Sequence, residues 1–128
     1  MPMRTTTSVV AVFLMTLLGC TQDNSTNATV DQTLRAPTSI ATTRIGLTAV
    51  RINWSDNNEN EEGYIVERQT GQGQFVQQVF TTQDVATAVD SVGLAVNGTY
   101  AYRVRAIRYS ERGDYSPVAT IKLSLPYP

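Results

Sequence analysis

Few residues in this 128-residue chain have the type and spacing for covalent chemistry. There is no histidine, which removes His-centred triads, imidazole general bases and most zinc sites. Cys20 is the only thiol, so no internal disulfide can form. Carboxylates gather between residues 56 and 62, where Asp56, Glu59, Glu61 and Glu62 stand among asparagines. Hard oxygen donors at this density are what calcium takes. The run lacks the D-x-[DN]-x-[DN]-G…E spacing of a calcium loop, and Asp and Asn also build local turns by bonding nearby backbone. The expectation is therefore no metal, with Asp56, Glu59 and Glu61 as the candidate ligands if calcium binds. No Gly-rich phosphate loop is present, and scattered carboxylates do not make a paired acid–base site. The chain is expected to be no enzyme, with no cofactor and no small-molecule substrate.

Two other groups suit recognition. Arg112-Gly113-Asp114 sets a cation and an anion either side of a glycine, in a stretch rich in turn residues. Glu67, Arg103 and Arg105 alternate with apolar residues in two β-like segments. Period two puts them on the exposed face of one sheet, where opposite charges on neighbouring strands favour register by a fraction of a kcal/mol. They form a candidate binding face. A formal net charge of −1 gives no electrostatic case for nucleic acid.

The elements that must hold these groups are strands. Val50, Ile52 and Trp54 point one way, with Arg51 and Asn53 opposite. Tyr64 and Val66 alternate with Ile65 and Glu67. Residues 74–81 and 85–89 are short and β-rich. Tyr100, Tyr102, Val104 and Ala106 share a face, and Ala119, Ile121 and Leu123 close the chain. No segment repeats at i, i+3, i+4, i+7 for long enough to make a helix. About seven short strands punctuated by turns predict an all-β antiparallel sandwich without a disulfide, its core built on Trp54 and the tyrosines.

Before this domain the chain changes character. Residues 1–8 carry Arg4 and no acid, and residues 9–18 are apolar apart from Thr16. That run falls far short of the roughly 20 residues that span a bilayer. It reads as a secretory signal. Leu17-Leu18-Gly19-Cys20 resembles the lipobox of bacterial lipoproteins. The resemblance implies lipid on the Cys20 thiol and cleavage after Gly19. Thr21, in place of Asp, favours the outer over the inner membrane if Gram-negative sorting applies. Residues 21–36 are polar, with isolated Val30 and Leu34, and show neither helical nor strand periodicity. They predict a flexible tether with a coil span of roughly 20–25 Å.

The domain itself is recognisable. W-S-D-N-N-E-N-E-E-G-Y-I-V-E-R, residues 54–68, resembles the bacterial branch of the fibronectin type III family, which commonly reads W-x-D-N-S-x-N-E-x-G-F-x-I-E-R. Leu94 followed by G-T-Y-A-Y-R-V-R-A, residues 98–106, resembles its second signature. Asn97-Gly98 replaces the usual Pro-Gly. The likeness implies an immunoglobulin-like sandwich. Structural roles fall to Trp54, Leu94, Tyr102 and Val104, and to Tyr100, whose hydroxyl would bond back near Leu94 as a tyrosine corner. The implied layout is residues 1–19 signal peptide, 20–36 lipidated cysteine and tether, 37–125 domain, and 126–128 tail.

The expected protein is a non-enzymatic, lipid-anchored component of the bacterial cell envelope. It would meet the membrane through lipid on Cys20 and an unidentified protein or polysaccharide through its domain. The alternative is a structural subunit of a larger envelope complex. Arg112-Gly113-Asp114 spells the tripeptide integrins read, in the hairpin that carries it in the integrin-binding fibronectin repeat. A host adhesin is thus a further reading, but Gly and Asp are also what a tight hairpin wants. The expected description of the tripeptide is an exposed hairpin tip.

Overall fold

A computed structural model describes residues 32–125. The signal segment, Leu17, Leu18, Gly19, Cys20, the first part of the tether and the tail 126–128 lie outside the described residues.

Among the described residues, eight strands follow one another without a helix: β1 Thr38–Gly46, β2 Ala49–Ser55, β3 Gly63–Thr70, β4 Phe75–Thr82, β5 Thr87–Asp90, β6 Thr99–Arg108, β7 Glu111–Arg112 and β8 Ala119–Lys122. They form two antiparallel sheets, one ordered β1-β2-β5 and the other β4-β3-β6-β7, with β8 also on β6. The expected sandwich is therefore present, with one more strand than the about seven of the sequence pattern. The excess is a split final strand: β7 pairs the end of β6 and β8 its start, on the same edge. Pro117, which has no N–H to give a ladder, lies in the gap. Ser116 sustains the edge there, its N–H donating to the Val104 carbonyl (2.7 Å) while its Oγ accepts the Val104 N–H (2.9 Å).

The inward faces are those the alternation marks. Val50, Ile52 and Trp54 of β2 meet Tyr64 and Val66 of β3 and Tyr100 to Ala106 at every second position of β6. Trp54 packs edge-on against Tyr64, with ring centroids 5.4 Å apart. Tyr100 Oη accepts the Ala95 N–H at 2.7 Å and so pins the β5–β6 crossover. Gly98 is needed beneath it, because a Cβ there would fall 2.5 Å from Tyr100 Oη.

A buried ion pair ties the two sheets together. Arg68 Nη1 of β3 donates to Asp90 Oδ2 of β5 at 2.7 Å and to the Val92 carbonyl at 2.8 Å. Tyr102 Oη donates to the same Asp90 oxygen at 3.0 Å. Burial, then the Asp90 charge, pushes the Tyr102 phenol well above its ordinary range.

The domain begins earlier than the sequence indicates. Leu34 is 4% exposed and belongs to the core cluster. Residues around it are strapped down: Arg35 N–H donates to Asn58 Oδ1 (2.7 Å), Asn58 Nδ2 to the Arg35 carbonyl (3.0 Å), Asn57 Nδ2 to the Ala36 carbonyl (2.9 Å) and Arg108 Nη2 to the Gln32 carbonyl (2.7 Å). The boundary at 36/37 thus moves back to about 32. An isolated leucine in a polar stretch has no periodicity to betray its burial, so the sequence could not mark it.

Candidate functional site

The outer face of the larger sheet gathers Glu67, Arg103 and Arg105 with two aromatic rings. Glu67 on β3 lies directly opposite Arg103 on β6, and Ile65 opposite Arg105. Arg103 donates through Nε and Nη2 to Glu67 Oε2, at 2.8 and 2.7 Å. Arg105 Nη2 stands 3.7 Å from Glu67 Oε1. Tyr115 Oη donates to that Oε1 at 2.9 Å. The Arg103 guanidinium lies over the Tyr115 ring (3.6 Å to its centroid) and over the Phe75 ring (4.1 Å), and Arg105 lies 4.5 Å over Tyr115. Cation–π attraction and charge-assisted bonds thus hold these side chains in one geometry.

The expected sharing of one face by Glu67, Arg103 and Arg105 is what the register places together, but Glu67 is not exposed. It is 8% accessible, roofed by Tyr115 and the two arginines. Two guanidiniums against one carboxylate leave a net positive charge on the face. Burial first, then the bond to Glu67 and its charge, raises the Tyr115 phenol above its ordinary value.

Sequence patterning does not single out Phe75 or Tyr115. Phe75 pairs with Gln69 across from β3, at the start of the edge strand. Tyr115 reaches this face through a bulge. Gly113 N–H bonds the Ala106 carbonyl and Ser116 N–H the Val104 carbonyl, so three steps on one strand match two on the other. Strict alternation from Arg112 would turn Tyr115 inward; the extra residue turns it outward.

At one end of the sandwich sit the strap, the β2–β3 loop and the β6–β7 turn. The hairpin tip is Tyr109 and Ser110, and Tyr109 is 81% exposed with φ 51°. Arg112-Gly113-Asp114 is therefore not the tip but part of the returning edge. Arg112 and Asp114 are exposed, as expected, while Gly113 is pressed on the strap: a Cβ there would lie 3.1 Å from Leu34 Cβ and 3.2 Å from the Leu34 carbonyl oxygen.

In the β2–β3 loop, Asp56 Oδ1 accepts the Asn58 N–H at 2.9 Å and the Tyr64 hydroxyl. Burial raises the Tyr64 phenol far above its usual range, a shift the nearby Asp56 and Glu61 charges reinforce. Glu61 joins Asp56, but Glu59 does not; the third carboxylate of the group is Asp84, from the β4–β5 loop. No local spacing links Asp84 to Asp56, so only the fold reveals it.

No protein-family model and no curated protein matches the chain. Solved structures do. The chain is similar to the FN3 domain of human collagen XX at 20% identity, over 71% of this chain and 93% of that one, with a TM-score of 0.59. It is similar to the chicken CNTN1 FN1-FN3 domains at 17% identity, over 69% of this chain and 31% of that one, TM-score 0.63. It is also similar to a beta-1,2-glucanase from Parabacteroides distasonis at 18% identity, over 74% of this chain and 13% of that one, TM-score 0.62. The fold is that of a fibronectin type III domain.

Proposed function

We propose that this chain is a non-enzymatic, lipid-anchored protein of the bacterial cell envelope whose sandwich binds a protein or polysaccharide through the outer face of its larger sheet. The observation that carries this is the Phe75–Arg103–Tyr115–Arg105 ladder seated on Glu67. Aromatic and arginine side chains dominate binding hot spots. Here they are already ordered, so a partner would be bound without the usual cost of freezing long side chains, about 0.5–1.5 kcal/mol each. The net positive charge suits a partner carrying carboxylates. The glucanase likeness supports the module reading, since there the matching part is a small fraction of a bacterial enzyme.

Anchoring rests on Leu17-Leu18-Gly19-Cys20, and Thr21 favours the outer membrane. Anchoring is tested by metabolic labelling with a fatty-acid probe: wild type should take up label and Cys20→Ser should not. Binding is tested by crosslinking and pull-down from intact envelopes with wild type and Tyr115→Ala. A partner retained by wild type and lost by Tyr115→Ala supports the face. Equal capture by both removes it. A single stoichiometric envelope protein among the captured species would favour the alternative, a structural subunit of a larger complex.

A further inference from the structure

We propose that Asp56, Glu61 and Asp84 form a calcium site that clasps the β2–β3 loop to the β4–β5 loop. One carboxylate oxygen from each lies within 4.8 Å of the other two. For three atoms so placed, some point lies within about 2.8 Å of all of them, so calcium–oxygen bonds of 2.3–2.6 Å can be met with little movement, and two adaptable loops suit calcium better than magnesium, which demands near-ideal octahedral geometry.

A second observation points to an occupant. Glu61 is 2% exposed. Its Oε1 accepts the Asp84 N–H at 2.9 Å, but its Oε2 is buried without any hydrogen-bond partner. A buried carboxylate oxygen left bare is costly, and such groups are ordinarily paired or bound to metal. No arginine or lysine pairs with it, since the four ion pairs among the described residues involve Asp90, Glu67 and Glu111, and none reaches this group. Three carboxylates therefore converge with their charge uncompensated. A divalent cation neutralises them, takes up the unused lone pairs of Glu61 Oε2, and keeps water ligands on the exposed Asp84 side. The donor set differs from the one the loop sequence offers, since Asp84 replaces Glu59.

Three protein carboxylates, with water completing the shell, place the affinity in the weak range of extracellular calcium modules, on the order of 10⁻⁴–10⁻³ M. Calcium binding is measured on the full chain by thermal melts in EDTA, 10 mM CaCl2 and 10 mM MgCl2 at constant ionic strength. Calcium should raise Tm by roughly 5–15 °C, with magnesium giving a third of this or less. Terbium supplies a direct probe, because Tyr64 bonds Asp56 and will sensitise luminescence of a bound lanthanide that calcium then displaces. Asp84→Asn keeps the N–H that Glu61 accepts, and Asn tolerates the left-handed backbone (φ 58°). This variant should fold with an unchanged or higher Tm in EDTA and lose most of the calcium shift. Glu61→Gln should lose it too. The site is overturned if wild type shows neither a calcium shift nor calcium-displaceable terbium luminescence. It is also overturned if magnesium shifts Tm as much as calcium, or if Asp84→Asn keeps the full shift.

Discussion

Replacing Asp90 by alanine should be among the most damaging single changes in the domain. The substitution removes the anion that Arg68 meets at 2.7 Å, with side chains only 11% and 3% exposed, and strips Tyr102 Oη of its acceptor. Breaking a buried pair from one side costs about 3–5 kcal/mol, because the other charge stays buried alone. An orphaned hydroxyl adds about 1 kcal/mol. Arg68 retains its bond to the Val92 carbonyl, which offsets part of the loss. A net cost of about 3–4 kcal/mol is expected, enough to lower the urea midpoint by roughly 2 M at a slope near 1.5 kcal/mol/M. Removing all three polar groups together, as Arg68→Met, Asp90→Val and Tyr102→Phe, should cost far less than the sum of the single changes, because no charge is then stranded. Equilibrium urea denaturation of the full set measures both quantities. A cost below about 1 kcal/mol for Asp90→Ala, or strict additivity across the set, would falsify the inter-sheet pair as a stabilising tie.

Three further outcomes follow from particular contacts. Tyr64 and Tyr102 have phenols raised in the folded domain, so their contribution is fully present below the unfolded value near pH 10 and is lost as pH climbs above it. By pH 11 the loss should be about 1.4 kcal/mol per tyrosine, and a urea midpoint that stays flat from pH 8 to 11 would contradict it. Leu34→Ala should destabilise the domain by about 2–3 kcal/mol although residue 34 lies before the first strand; a change within 0.5 kcal/mol would mean the strap does not pack. Asp114→Glu, which ends integrin recognition of the tripeptide, should leave attachment to host cells unchanged, because Gly113 is seated on Leu34 instead of projecting at the hairpin tip; loss of attachment would revive the adhesin reading.

Period-two patterning carried most of the fold, because both sheets bury one face and a buried face writes itself into alternate residues. Val50, Ile52, Trp54, Tyr102 and Val104 were legible for that reason. The central strand β3 was less so: Ile65 and Glu67 are buried along with Tyr64 and Val66, Glu67 beneath Arg103, Arg105 and Tyr115, and Ile65 between its ladder partners Phe80 and Arg105. The candidate face was half legible. Glu67, Arg103 and Arg105 come from unbroken ladder, but Tyr115 depends on a bulge that shifts side-chain parity and Phe75 on an edge pairing. The acidic group was legible only in its local part, because Asp84 arrives from a distant loop. Arg68 and Asp90 meet across the sandwich, and sequence periodicity says nothing about which residues of two facing sheets touch.

The strap also sets how the domain carries load. The chain enters where Arg108 holds the Gln32 carbonyl and leaves beside Gly98, where Leu123 N–H bonds the Gly98 carbonyl at 2.9 Å. These points lie at opposite ends of β6, roughly 30 Å apart for a strand of its length. Tension between them drags β1 along β2 and β8 along β6, parallel to the strand axes. The backbone bonds of each ladder then resist together in shear, whereas a pull on one strand end would part them one at a time. Under such a pull Leu34 would have to leave the core before that shear reached β1.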